Sequence, residues 1–185
     1  MTKRQFASWR VQALVAALIV ALGVAVALLP AVSSLAQTMK PPEIYKTADV
    51  SEVWLNAPAR FGIPVINPSP PEGDPWIDLV VTDVVDPALQ IDEVAVSPPA
   101  DEVIIVGNTV QVVVYSLAPG ETFVITIDCT LVGPAQPGDV LVNEATLEYS
   151  WPDGTPADPV TSDPVEIQVV VRYLMPLIFS KRKRS

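Results

Sequence analysis

The feature that most constrains this chain is a repeated alternation of Val, Ile and Thr runs with Pro, Gly, Asn or Asp, recurring about every ten residues from Val50 to Val171. After residue 36 there are 24 Val and 11 Ile against 9 Leu. Two heavy atoms on Cβ stiffen χ1, which suits a pleated strand better than a helix. Pro and Gly at the ends of the runs stop each strand and turn the chain. The runs Val50–Leu55, Phe61–Ile66, Ile77–Val85, Leu89–Val96, Glu102–Val106, Thr109–Ser116, Thr122–Val132, Val140–Tyr149 and Val160–Val171 read as strands. Alternation is cleanest where Phe123, Ile125, Ile127, Cys129 and Leu131 share one face and Val124, Thr126, Asp128 and Thr130 the other. No stretch after residue 36 carries helical periodicity. The expected fold is all-β, an Ig-like antiparallel β-sandwich of seven to nine strands.

The N-terminus has a different character. Lys3, Arg4 and Arg10 flank an apolar run from Val11 to Val32 broken only by Gln12, and the run closes on Ser34-Leu35-Ala36. A basic head, an apolar middle and a small-x-small exit make a secretory signal helix, cleaved after Ala36. Uncut, the run is long enough to act as an anchor. Either way the rest of the chain lies outside the cytoplasm, so the protein reads as secreted or displayed at the cell surface. The organisation expected is a signal peptide or anchor over 1–36, a linker over 37–49, the sandwich over 50–171 and an apolar, basic tail over 172–185.

Charge and residue usage remove whole classes of chemistry. There is no His and one Cys, so disulfides within the chain, Cys-His nucleophiles and ordinary zinc sites are excluded. Lys46 and Arg60 are the only basic residues between Pro41 and Val171, against 21 acidic ones. Such a body repels nucleic acid, whose binding needs Lys and Arg to displace counterions. Many carboxylates leave Ca²⁺ binding open as a cofactor reading, but no Asp- and Gly-containing loop of calcium-site spacing occurs. No pair of acids is singled out for glycoside hydrolysis, and Asp153-Gly154-Thr155 inverts the end of the aspartic protease signature. The chain is expected not to be an enzyme.

Several residues stand out locally. Pro119 fixes φ and Gly120 permits a positive φ, so Pro119-Gly120 is a type II turn between two strands. Asp83, at the end of a β-branched run, is expected to cap loop N–H groups. Asn143 falls on the inward face with Leu141, Ala145, Leu147 and Tyr149, and a buried amide needs partners; loop backbone is the expected source. Cys129 reads as a small core residue. Trp76 and Trp151 sit beside Pro75 and Pro152, either capping the sandwich or offering rings to a sugar, with Tyr149 and Trp151 the candidate stacking pair.

Three of these segments together carry a resemblance. Leu79-Val80-Val81-Thr82-Asp83, then Leu117-Ala118-Pro119-Gly120-Glu121, then Asn143-Glu144-Ala145, resemble the Ig-like conserved repeat of uncharacterised function found, often in tandem, in bacterial and archaeal surface proteins. The likeness spans about residues 50–170 in one copy, with Asn67-Pro68-Ser69 where that family carries N-T-G. It implies a structural or adhesive surface module and no catalytic residues; the alternative is a carbohydrate- or calcium-binding module. One autocatalytic reading stays open beside these. Some Ig-like surface domains join a Lys to an Asn through an isopeptide bond beside an acidic group, and here Lys46 is the well-placed lysine and Asn143 a partner. The implied partners are a cell-envelope polymer or another surface protein. The tail, apolar over Tyr173–Phe179 and basic over Lys181–Arg184, and the N-terminal segment could both touch membrane. Leu174-Met175-Pro176-Leu177 lacks the order of a sortase signal.

Overall fold

The computed structural model describes residues 39–172, and among these every regular element is a strand. The signal helix expected over residues 1–36 and the tail from Tyr173 onward lie outside the described residues. The elements are β1 (Glu43–Ile44), β2 (Thr47–Ala48), β3 (Glu52–Val53), β4 (Pro58–Ile66), β5 (Trp76–Val84), β6 (Leu89–Ser97), β7 (Glu102–Val106), β8 (Thr109–Leu117), β9 (Thr122–Leu131), β10 (Val140–Asn143), β11 (Ala145–Ser150), β12 (Val160–Thr161) and β13 (Val165–Val169). One sheet runs β1-β4-β9-β6 with β2 also on β4, a second runs β12-β11-β5-β8-β7, and a small third runs β10-β13-β3. Every pairing is antiparallel except β13 with β3. The all-β Ig-like reading therefore stands, with more and shorter strands than expected.

Two differences from the sequence expectation have physical causes. Residues 43–48, read as part of a linker, belong to the sandwich: β1 and β2 pair with β4 in one continuous register, Ile44 opposite Val65 and Thr47 opposite Gly62. The ladder is interrupted only at Tyr45 and Lys46, next to Pro64, which has no N–H to give and accepts from the Tyr45 N–H at 3.1 Å instead. Val140–Tyr149, read as one strand, is two. The chain changes sheets at Glu144, β10 pairing with β13 and β11 with β5. Ser162 stitches this crossing: its N–H donates to the Ala145 carbonyl at 2.9 Å and its Oγ accepts from the Ala145 N–H at 3.0 Å.

The core follows the period-2 pattern. Phe123, Ile125, Ile127, Cys129 and Leu131 on β9 are all buried, and they meet Leu79, Val81, Val110 and Val112 from the second sheet in one hydrophobic cluster. The turn at Pro119-Gly120 forms as expected, with Gly120 at φ 76° and the Glu121 N–H on the Ala118 carbonyl at 3.0 Å. Glu121 closes it by accepting the Ala118 N–H at 2.9 Å. Gly133 serves close approach, since a Cβ there would fall 2.6 Å from the Ala88 Cα.

Cys129 is buried and its thiol is pushed up to about 12, chiefly by desolvation with nearby carboxylates adding to it. Alkylation of Cys129 at pH 8 should therefore occur only through unfolding, at a rate that tracks global stability. Ile127→Ala should lower stability by about 2–5 kcal/mol and speed that alkylation in proportion. Fast alkylation of the native chain would contradict this core assignment.

Candidate functional site

Three strands each place one polar residue where an apolar one belongs. Along β1, β2 and the two residues between them the inward positions are Ile44, Lys46 and Ala48; along β5 and the residue after it they are Leu79, Val81, Asp83 and Val85; across β10 and β11 they are Leu141, Asn143, Ala145 and Leu147. All three polar residues are buried. Register brings them together, because Asp83 lies directly opposite Ala145, two residues after Asn143.

Lys46 Nζ contacts Asp83 Oδ2, with both side chains shut off from solvent. The lysine stem ends over the Phe61 ring, Nζ lying 5.0 Å from its centroid. Asn143 sits near enough to the Asp83 carboxyl to favour its charged form, yet neither Nδ2 nor Oδ1 of that amide makes a hydrogen bond of ordinary geometry. Oδ1 of Asp83 also lacks a partner. An amide buried with both polar atoms unpaired costs a few kcal/mol, so this arrangement needs a reason other than stability.

Burial acts in opposite directions on the two ionisable groups. Desolvation lowers the Lys46 ammonium below the ordinary lysine value, against the opposing pull of Asp83. Desolvation likewise raises Asp83, against Lys46 and the Asn143 amide. Both shifts favour the uncharged pair, a free amine beside a carboxylic acid. That is a nucleophile and a proton donor, next to an amide carbonyl carbon.

Two sequence expectations are thereby corrected. Asp83 caps no loop: β5 continues through it and aims it into the core at Lys46. Asn143 is inward as expected, but it binds no loop backbone and joins the Lys46 and Asp83 group. Lys46 was legible as a lysine on the parity of Ile44 and Ala48, a signal obscured by treating residues 37–49 as linker. The same parity argument applied to Leu79, Val81 and Asp83 would have turned the acid inward as well.

The stacking pair is also rearranged. Trp76 is fully buried, and its Nε1–H donates to the Lys40 carbonyl at 3.1 Å. Tyr149 meets it edge-on with ring centroids 4.9 Å apart, and Trp151 covers its other side at 4.8 Å. Tyr149 is buried in this cluster, leaving only Trp151 partly exposed, so the two rings do not form a shared platform. For calcium, no group of three or more acidic or Cys side chains converges among the described residues.

No protein-family model matches the sequence, and no curated protein matches it. Solved structures match in fold. The major pilin subunit BcpA of Bacillus cereus superposes with a TM-score of 0.58 at 19% identity, over 70% of this chain and 41% of that one. The full-length major pilin SpaD of Corynebacterium diphtheriae gives 0.54 at 14% identity, over 69% of this chain and 34% of that one. The N-terminal domain of the Streptococcus gordonii adhesin Sgo0707 gives 0.53 at 14% identity, over 72% and 34%. The chain thus spans less than half the length of these structures, and they share its fold.

If the buried amine attacks the amide, the protein made in cells will be lighter by one ammonia than its sequence requires. Lys46→Ala, Asp83→Ala and Asn143→Ala should each restore the full mass, as read by intact-mass spectrometry. A wild-type chain of full mass after prolonged folding would show that the three residues are only a buried polar cluster.

Proposed function

We infer that this chain is a secreted or surface-displayed structural and adhesive Ig-like module, stiffened by an amide bond that it forms within itself. The single observation that carries the reading is Lys46 buried against Asp83 beside an Asn143 amide with no partners. The fold shared with pilin and adhesin structures is consistent with it. In the reaction the neutral Lys46 Nζ attacks Asn143 Cγ, forming the new C–N bond. Asp83 donates its proton toward the carbonyl oxygen as the tetrahedral centre develops. It then takes a proton from the attacking nitrogen and passes it to the leaving Nδ2, so the C–N bond to that nitrogen breaks, ammonia departs, and the re-forming carbonyl returns its proton to Asp83. Asp83 ends as it began. The reaction runs once per chain, with no external substrate, and no turnover enzyme is implied.

The mechanical consequence follows from topology. A Lys46–Asn143 bond ties the first strand to β10, so tension applied at the two ends of the module bypasses everything between. By the loop-closure entropy that governs other covalent crosslinks, a closed loop of this size stabilises by about 4–5 kcal/mol. Display outside the cell rests on residues 1–36 being removed after Ala36, or kept as an anchor, and on partners among envelope polymers or other surface proteins.

Pulling a single molecule from its termini tests the crosslink directly. The wild-type chain should release only the segments outside residues 46–143, whereas Asn143→Ala should release the whole sandwich and melt at a clearly lower temperature. Equal unfolding lengths would end the proposal. For processing, the exported protein should begin at Gln37 or within a few residues of it; an intact mass that retains residues 1–36 would support the anchor.

A further inference from the structure

The sandwich is open along one side. β6 is the last strand of its sheet, β7 is the last strand of the other, and the two are joined across the layers by residues 98–101. Ile91, Val94 and Val96 of β6 stand opposite the buried Cys129, Ile127 and Ile125, so they face inward. Val103 and Ile105 of β7 stand opposite the buried Val112 and Val110, so they face inward too. Yet Val103 is 42% and Ile105 48% exposed, and the three β6 residues are only half-buried. Among the described residues, inward-facing apolar residues at the edge of both sheets are therefore left wet, beside two unpaired strand edges. Asp92 and Glu93 flank this seam on β6, and Asp101 and Glu102 at the start of β7.

We propose that this seam receives residues 173–179 of a second copy, added as an antiparallel strand on β7, so that modules associate head to tail. The segment Tyr173-Leu174-Met175-Pro176-Leu177-Ile178-Phe179 is apolar at every position and long enough to cover the five residues of β7. Pro176 sits at an even position in it. Tyr173, Met175, Leu177 and Phe179 then keep their N–H groups for the ladder, and the missing donor faces away from it. Running antiparallel to β7, the segment ends beside its start, which carries Lys181–Arg184 past Asp101 and Glu102. Charge thus fixes the direction of the added strand.

The exit point of the chain argues for a second copy over the chain's own seam. Arg172 stacks over Trp54 with its guanidinium carbon 4.6 Å from the ring centroid, in a groove with Leu131 and Gly133. From there the chain must pass the ends of β9 and β6, paired at Leu131 and Leu89, before it reaches the seam. Two strand widths are about 10 Å, roughly three extended residues. Tyr173 follows Arg172 with no spacer, so half of the apolar segment would be spent in transit. A tail reaching a neighbour spends none, and because donor and acceptor surfaces differ, the contact is heterologous and extends to a chain of modules.

The test is sedimentation velocity of the full mature chain over a range of concentrations. We expect reversible association that grows with concentration, weakens with added salt as the tail charges are screened, and is lost in Ile105→Glu and in a chain ending at Arg172. Both variants should keep the wild-type melting temperature at dilutions where the wild type is monomeric. A synthetic peptide of residues 173–184 should bind the shortened chain but not the shortened chain carrying Ile105→Glu. Association undiminished by Ile105→Glu would overturn the proposal. So would a mature chain that stays monomeric throughout, and one that is monomeric but loses stability on truncation would place the tail in its own seam.

Discussion

The structure depends on a lysine held in a hydrocarbon interior. Lys46 has exchanged water for the Phe61 ring and a single carboxyl group, and in so dry a place charge separation is expensive. Burial shifts both groups toward the uncharged pair, which is the reactive one. A conventional buried ion pair would be surrounded by further hydrogen-bond donors and acceptors. This one has Asn143 beside it with both amide atoms unpaired, so the electrophile and the proton carrier are held together by burial alone. A covalent amide between Lys46 and Asn143 would replace the buried amine and the unpaired Nδ2 by one secondary amide beside the Asp83 carboxyl, which makes the crosslink a route to a better satisfied core.

Strands of all three sheets bring those three residues together. Lys46 comes from the first sheet, Asp83 from the middle of the second, and Asn143 from the small third sheet at the point where the chain crosses over. Ser162 fixes that crossing by pairing twice with Ala145, which sets the height of Asn143 against Asp83. Pro64 opens the ladder at Tyr45 and Lys46 without letting the register slip. These are modest local devices, and each acts at the one place where a shift of a single residue would turn a reactive side chain out to solvent.

The edges of the sandwich carry a different logic from its centre. At the Trp76, Tyr149 and Trp151 cluster aromatic rings close one end of the core, and Arg172 on Trp54 covers the groove by which the chain leaves. Between β6 and β7 nothing among the described residues performs that service. The interior is closed around Lys46, Asp83 and Asn143, while one flank leaves apolar residues of β6 and β7 partly exposed.

Much of this was legible in the chain itself. Period-2 alternation of β-branched residues, cut by Pro and Gly, determines an all-β fold, because each strand must bury one face and pair its backbone. The burial of Cys129 and the turn at Pro119-Gly120 follow from the same local rules. The parity of Asn143 was readable as well, and so were the parities of Lys46 and Asp83 once residues 43–48 are counted as strand. What the sequence could not determine was that these three polar residues share one point in space. Parity states which face a side chain takes, but not which strand will lie across from it. That depends on strand order and on register between segments far apart in the chain, set by the packing of the whole core, and only the tertiary structure turns three apparent flaws in the pattern into one site.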